Sequence, residues 1–206
     1  MDVREVAATY AAAAHSFADL VRRVPADRFA GPGLGSWDLR ALVGHTSRSL
    51  ITVISYLDLP AEQVDVDGPA EYYRLAADLA AADAAGVLER GVRAGVELGP
   101  DPATAVEALV SRALDALDGR DDTLIAVLGG TGMRLTDYLP TRIFELVVHS
   151  MDIADATGLN FTPPEPALLA ATTLSAQISV TMGRGDVVLR ALTGRAPLPQ
   201  PFSVTA

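Results

Sequence analysis

The chain is 206 residues long and carries 26 acidic side chains against 16 basic ones, all of them arginine, for a formal net charge of −10. That length suits one domain, and an acidic balance without clustered basic residues excludes nucleic acid as a partner, because phosphate binding needs grouped arginine or lysine. The hydrophobic half of the composition excludes disorder, and the absence of cysteine excludes a disulfide framework, a cysteine-ligated zinc site and a protein thiol nucleophile.

The 35 alanines point to helix, for which alanine has the highest intrinsic preference. The first helix is expected over 3–24, up to Pro25. Asp2, Arg4, Glu5, His15 and Asp19 interrupt this stretch, so it is neither a targeting leader nor a membrane span; a cytoplasmic location with no membrane partner is expected. A glycine-rich loop over 30–35 follows. Ser36 reads as the N-cap of a second helix over 37–57, with Asp38 favourably placed at its positive end. Pro69 opens a third helix over 69–95, whose Glu71-Tyr72-Tyr73-Arg74 start reads as half-buried. A fourth helix runs from the Pro100–Pro102 turn to Leu117. Residues 123–136, with Gly129-Gly130-Thr131-Gly132 at their centre, predict a small hairpin or extended connection. A fifth helix is expected from Pro140 to Gly158, a sixth over 166–182 and a short seventh over 185–193. The expected fold class is all-α: a helix bundle over 1–162 with a C-terminal helical extension, 163–206, packed on the same domain.

Chemistry concentrates in Arg142-Ile143-Phe144-Glu145-Leu146-Val147-Val148-His149-Ser150-Met151-Asp152. On a helix Glu145 and His149 stand about 6 Å apart along the axis and about 40° apart around it. Arg142 and Asp152 share their stripe. Two readings compete. The stripe is either the solvent face of an amphipathic helix, or one wall of a cleft in which carboxylate and imidazole from facing helices hold a metal. Leu146 and Ile153 project close to the same sector, which favours the cleft. His45, at the edge of the apolar side of the second helix, is the natural third partner; His15 reads as a surface residue. Gly31-x-Gly33-x-Gly35 lacks a leading strand and the dinucleotide-binding spacing, and Gly129–Gly132 lacks the end of a phosphate loop. The serines have no patterned His-Asp partners, and Asp115, Asp118, Asp121 and Asp122 lack the glycine and glutamate of a calcium loop.

Ser36-Trp37-Asp38-Leu39 with Leu42-Val43-Gly44-His45, followed by Arg142-x-x-Glu145-Leu146-x-x-His149-x-x-Asp152, resembles the mycothiol-dependent maleylpyruvate isomerase N-terminal family, part of the DinB-like superfamily of metal-binding four-helix bundles. The resemblance covers most of residues 1–160. It implies that His45, Glu145 and His149 bind a divalent metal, with zinc the expected ion. Arg142 and Asp152 become candidate catalytic residues, and Trp37 and Arg48 candidate cofactor-binding residues. It also implies mycothiol as thiol cosubstrate and small electrophiles as partners. The isomerase itself has a separate C-terminal α/β domain, which the residues after Pro163 are too few to build.

The expected function is therefore a metal-dependent, mycothiol-assisted transferase or isomerase. Two His and one Glu leave zinc an open position, the pattern of catalytic sites. With no cysteine in the chain, any thiolate comes from outside. The alternatives are a non-catalytic small-molecule or partner-binding module with a structural or vacant metal site, and a metal-dependent hydrolase. A homodimer is an open option for assembly.

Overall fold

A computed structural model describes residues 2–205, and the side chain of residue 84 is left aside. Among these residues eight α-helices dominate: α1 (Val3–Arg22), α2 (Leu39–Tyr56), α3 (Pro69–Ala82), α4 (Ala84–Glu97), α5 (Pro102–Leu117), α6 (Leu135–Thr157), α7 (Glu165–Thr181) and α8 (Gly185–Leu192). Four of them close the core. Helices α1 and α2 each pack against both α5 and α6, so the four form a ring around one apolar interior. Tyr10, Phe17, Leu42, Leu50, Val106, Leu139 and Ile143 fill it, each fully buried. Among the described residues no helix is long and apolar enough to cross a membrane.

The expected hairpin is present. Strands β1 (Leu124–Ala126) and β2 (Gly132–Arg134) pair antiparallel, with Ile125 opposite Met133 and both buried. Helix α7 presses Ala167, Ala171, Leu174 and Ile178 into the same core and packs on α6 and α3, while α8 rides on α7.

Three local expectations are corrected. The second helix is capped by Asp38, whose Oδ1 accepts from the Ala41 amide at 2.7 Å, and not by Ser36, which stays in the exposed loop. The carboxylate is the stronger acceptor at a positive helix end. The single helix expected over 69–95 breaks at Asp83, which leaves helical geometry (φ −143°, ψ 57°) and caps α4 through the Gly86 amide at 3.0 Å. Uniform alanine propensity on both sides hides such a break. The fifth expected helix, α6, starts at Leu135 rather than at Pro140. Burial of Leu135, Tyr138 and Leu139 compensates the backbone hydrogen bond that Pro140 removes.

The break at Asp83 has a structural consequence: it folds α4 onto α2. A Cβ on Gly44 would stand 2.1 Å from the Gly95 nitrogen, so these two glycines let the helix backbones touch. Gly91, one turn earlier on α4, lies against the ring of Trp37.

Candidate metal centre

Asp38 starts α2 in a register that turns His45 toward α6, where Glu145 and His149 sit one turn apart. One ligand atom from each of the three residues lies within 4.8 Å of the others. His149 Nε2 is 3.2 Å and His45 Nε2 4.0 Å from Glu145 Oε2. The α6 stripe is therefore a wall of the bundle's interior, not a wet face: the side chains of His45, Glu145 and His149 are 21%, 20% and 15% exposed.

Each member of the group is held from behind. Asp152, one turn beyond His149, places Oδ2 2.9 Å from His149 Nδ1 and so leaves Nε2 pointing at Glu145. This carboxylate–imidazole arrangement fixes ring orientation behind many metal-bound histidines. Tyr73 on α3 donates its hydroxyl to Glu145 Oε1 at 2.6 Å, with the Thr141 carbonyl 3.1 Å away, which leaves Oε2 free to face both imidazoles. His45 is held by stacking. Its ring lies on Trp37 with centroids 4.4 Å apart, and edge-on to His149 at 4.9 Å. The Trp37 indole N–H is spent on the Leu88 carbonyl of α4 at 3.1 Å. His45 Nδ1 is buried without a hydrogen-bond partner among the described residues, so packing alone sets that ring.

Arg142 is turned away from solvent into the core. Its guanidinium sits over the rings of Tyr72 and Tyr138, at 5.2 and 5.0 Å, and donates to the Tyr72 hydroxyl and to Thr141 Oγ1. Burial opposes its charge, but the oxygens of Tyr138, Tyr72 and Tyr73 and the Glu145 carboxylate outweigh that and raise its pKa further. It acts on Glu145 through the protein. Arg48 lies one turn past His45, half-buried.

The electrostatics suit a cation. Burial alone would raise the Glu145 carboxyl. The hydrogen bond and charge of His149, the charge of Arg142 and the Tyr73 hydroxyl outweigh it and bring the pKa down to about 2. Burial would lower His149, but hydrogen bonds and charge from Asp152 and Glu145 lift it to about 9. Burial, reinforced by the charge on His149, pushes His45 down to about 4, despite Glu145. At neutral pH the metal-free centre is thus a carboxylate, an imidazolium and a neutral imidazole. Tyr73 is held well above its usual pKa, first by burial and then by the Glu145 charge, and stays a hydrogen-bond donor.

The donor set fits a divalent ion. Zinc ligands at about 2.1 Å in tetrahedral geometry stand roughly 3.4 Å apart, so small side-chain movements would close the observed spacing. The neutral His45 offers a lone pair, and the proton on His149 is the only one the ion must displace.

Of the residues that position this centre, sequence reasoning missed Tyr73. The signal was present: tandem tyrosines beginning a helix bring two hydroxyls that need buried partners.

Residues 10–154 match the profile of the mycothiol maleylpyruvate isomerase N-terminal domain. The chain belongs to this family. The DinB-like superfamily follows from it, in agreement with the all-α bundle. The matched span takes in α2, most of α6 and all three residues of the metal-competent group, and it ends before α7. No curated protein and no solved structure matched the chain.

Proposed function

We propose that this family member is a metal-dependent enzyme that uses a low-molecular-weight thiol, mycothiol, to transfer to or isomerise small electrophiles, with zinc as the metal. The observation that carries the reading is the convergence of His45, Glu145 and His149, each braced by a different neighbour, in a chain without cysteine. When bound, the metal supplies a Lewis acid with an open position that favours the thiolate form of a thiol placed there.

The chain's own residues do the rest. Asp152 holds His149 in one ring orientation by accepting a hydrogen bond from its Nδ1–H; Asp152 is thus a positioning residue rather than a reacting one. Tyr73 and Arg142 keep Glu145 ionised and aimed. Trp37 sets the plane of His45 and covers one side of the site. Because the protein has no thiol to compete, the reacting sulfur belongs to the cosubstrate. The segment after the family match, with α7 on α6, forms part of the same folded unit in this proposal.

The test is elemental analysis of protein purified without chelator, followed by turnover of a test electrophile with and without thiol. About one zinc per chain, lost in His149→Ala, and thiol-dependent turnover are expected. Full metal content in His149→Ala overturns the ligand assignment. Turnover indifferent to thiol overturns the thiol mechanism and points to a hydrolase; tight metal binding with no turnover points to a binding module.

A further inference from the structure

Arg48 follows His45 by three residues on α2, so its side chain leaves the same face of the helix one turn on. It is half-buried, and among the described residues no hydrogen bond or ion pair reaches its guanidinium. Arg4, Arg93, Arg112 and Arg190 also show no such partner, but all four are exposed to water, whereas Arg48 is half-buried. Exposed Arg22, Arg74 and Arg90 all find acidic partners, and Arg142 finds a hydroxyl and two aromatic faces. A partly desolvated guanidinium without a counter-ion is costly to keep and is a ready acceptor of an anion.

We propose that Arg48 is the anion-holding residue of this centre and binds a carboxylate carried by the electrophile, beside the metal position. This rests on the metal and thiol reading above. Three observations support it. Arg142, the other arginine acting on this centre, is sealed in the core and cannot meet a ligand. His45 and Thr52, one turn before and one turn after Arg48 on α2, both meet α6, His45 Nε2 at 4.0 Å from Glu145 Oε2 and Thr52 Oγ1 accepting from the Tyr138 hydroxyl at 2.8 Å, so Arg48 leaves α2 on the face that carries the centre. The charge balance leaves room: a divalent ion, Arg48 and Arg142 together exceed Glu145 and Asp152 by two positive charges, enough for one thiolate and one carboxylate. A guanidinium suits a carboxylate because its paired N–H groups match two oxygens.

The experiment compares matched probes on the full-length, zinc-supplemented protein, with binding followed by calorimetry. Crotonate is paired with crotonamide, and 3-mercaptopropionate with 2-mercaptoethanol. Wild type, Arg48→Met and Arg48→Lys are compared, with metal content and thermal melting recorded for each sample. Wild type is expected to prefer crotonate over crotonamide by about 10–100-fold, the range of a hydrogen bond to a charged group. Arg48→Met should abolish that preference at unchanged metal content, and Arg48→Lys should retain part of it. A preference for crotonate puts the carboxylate on the electrophile; one confined to 3-mercaptopropionate overturns that assignment, because mycothiol carries no free carboxylate. Absence of any preference in wild type, or a preference that survives in Arg48→Met, overturns the proposal. A wild-type protein without metal defeats the metal reading instead, and the matched-pair comparison still reads Arg48.

Discussion

Replacing Asp152 by Asn should weaken metal binding by an amount that grows with pH. In wild type His149 carries a pKa of about 9 because Asp152 and Glu145 stabilise its imidazolium against burial. At pH 7 only about 1% of it is deprotonated, so proton competition holds apparent affinity ~100-fold, or roughly 3 kcal/mol, below its alkaline limit. Affinity should rise about tenfold per pH unit from 7 to 9, with about one proton released per ion at pH 7. The Asn variant keeps at most a neutral acceptor at the 2.9 Å contact that orients His149, a weaker brace with an expected cost of about 10–100-fold. It also loses a charge that held the proton, which eases competition at neutral pH. The two effects oppose each other at pH 7, and only the orientation loss remains above pH 9. Competition titrations against a chelator of known affinity across pH 6.5–9.5 read both. A deficit that is constant across this range, or absent at pH 9, would refute the coupling of Asp152, His149 and metal.

Other expectations follow from neighbouring contacts. Tyr73→Phe removes the donor to Glu145 Oε1 and should cost about 1.5–3 kcal/mol in thermal or denaturant unfolding, with weaker metal binding; unchanged affinity would show that Glu145 needs no such brace. Gly44→Ala drives a methyl group to 2.1 Å from the Gly95 nitrogen and should destabilise by about 1–3 kcal/mol or more as α4 is forced off α2, seen as a lower melting temperature and altered Trp37 fluorescence. Metal-free protein should be most stable near pH 6.5. His149, raised to about 9, contributes stability in full below 6.5 and loses it as pH climbs through 9. His45, lowered to about 4, costs stability as pH falls from 6.5 to 4, because the unfolded chain takes up the proton first. Glu145, lowered to about 2, contributes above 4.5 and loses that as pH falls through 2. Melting curves across pH on metal-free wild type and His149→Ala check this; the variant should lose the alkaline limb, and a wild-type maximum above pH 8 would contradict it.

Much of this arrangement could be read in the chain. The Arg142, Glu145, His149 and Asp152 stripe follows from helical spacing, and Leu146 and Ile153 beside it already argued that the stripe faced inward. What spacing could not decide was where each side chain goes once buried. Arg142 shares the stripe, yet its long side chain turns back to the tyrosines, because a guanidinium finds better partners over two aromatic faces than beside a neighbouring imidazolium. Tyr73 lies 72 residues from its partner Glu145, and their meeting depends on how α3 leans on α6, a tertiary fact with no local pattern. The break at Asp83 was hidden for a different reason: alanine on both sides satisfies helix propensity, and only the capping carboxylate and the close glycine contact of α4 with α2 make the interruption favourable. At Ser36 and Asp38 two competent caps stand two residues apart, and the hydroxyl and carboxylate are distinguished only by the loop that precedes them.

The most direct measurement is zinc K-edge X-ray absorption of the zinc-loaded protein before and after addition of mycothiol. Because the chain has no cysteine, thiolate sulfur at the metal has no source but the added thiol. The expected spectrum without thiol has only nitrogen and oxygen neighbours near 2.0–2.1 Å, with the imidazole signature of two histidines; with thiol, one sulfur neighbour appears at about 2.3 Å. A histidine-rich shell that gains no sulfur when thiol is present would contradict the thiol chemistry assigned to His45, Glu145 and His149.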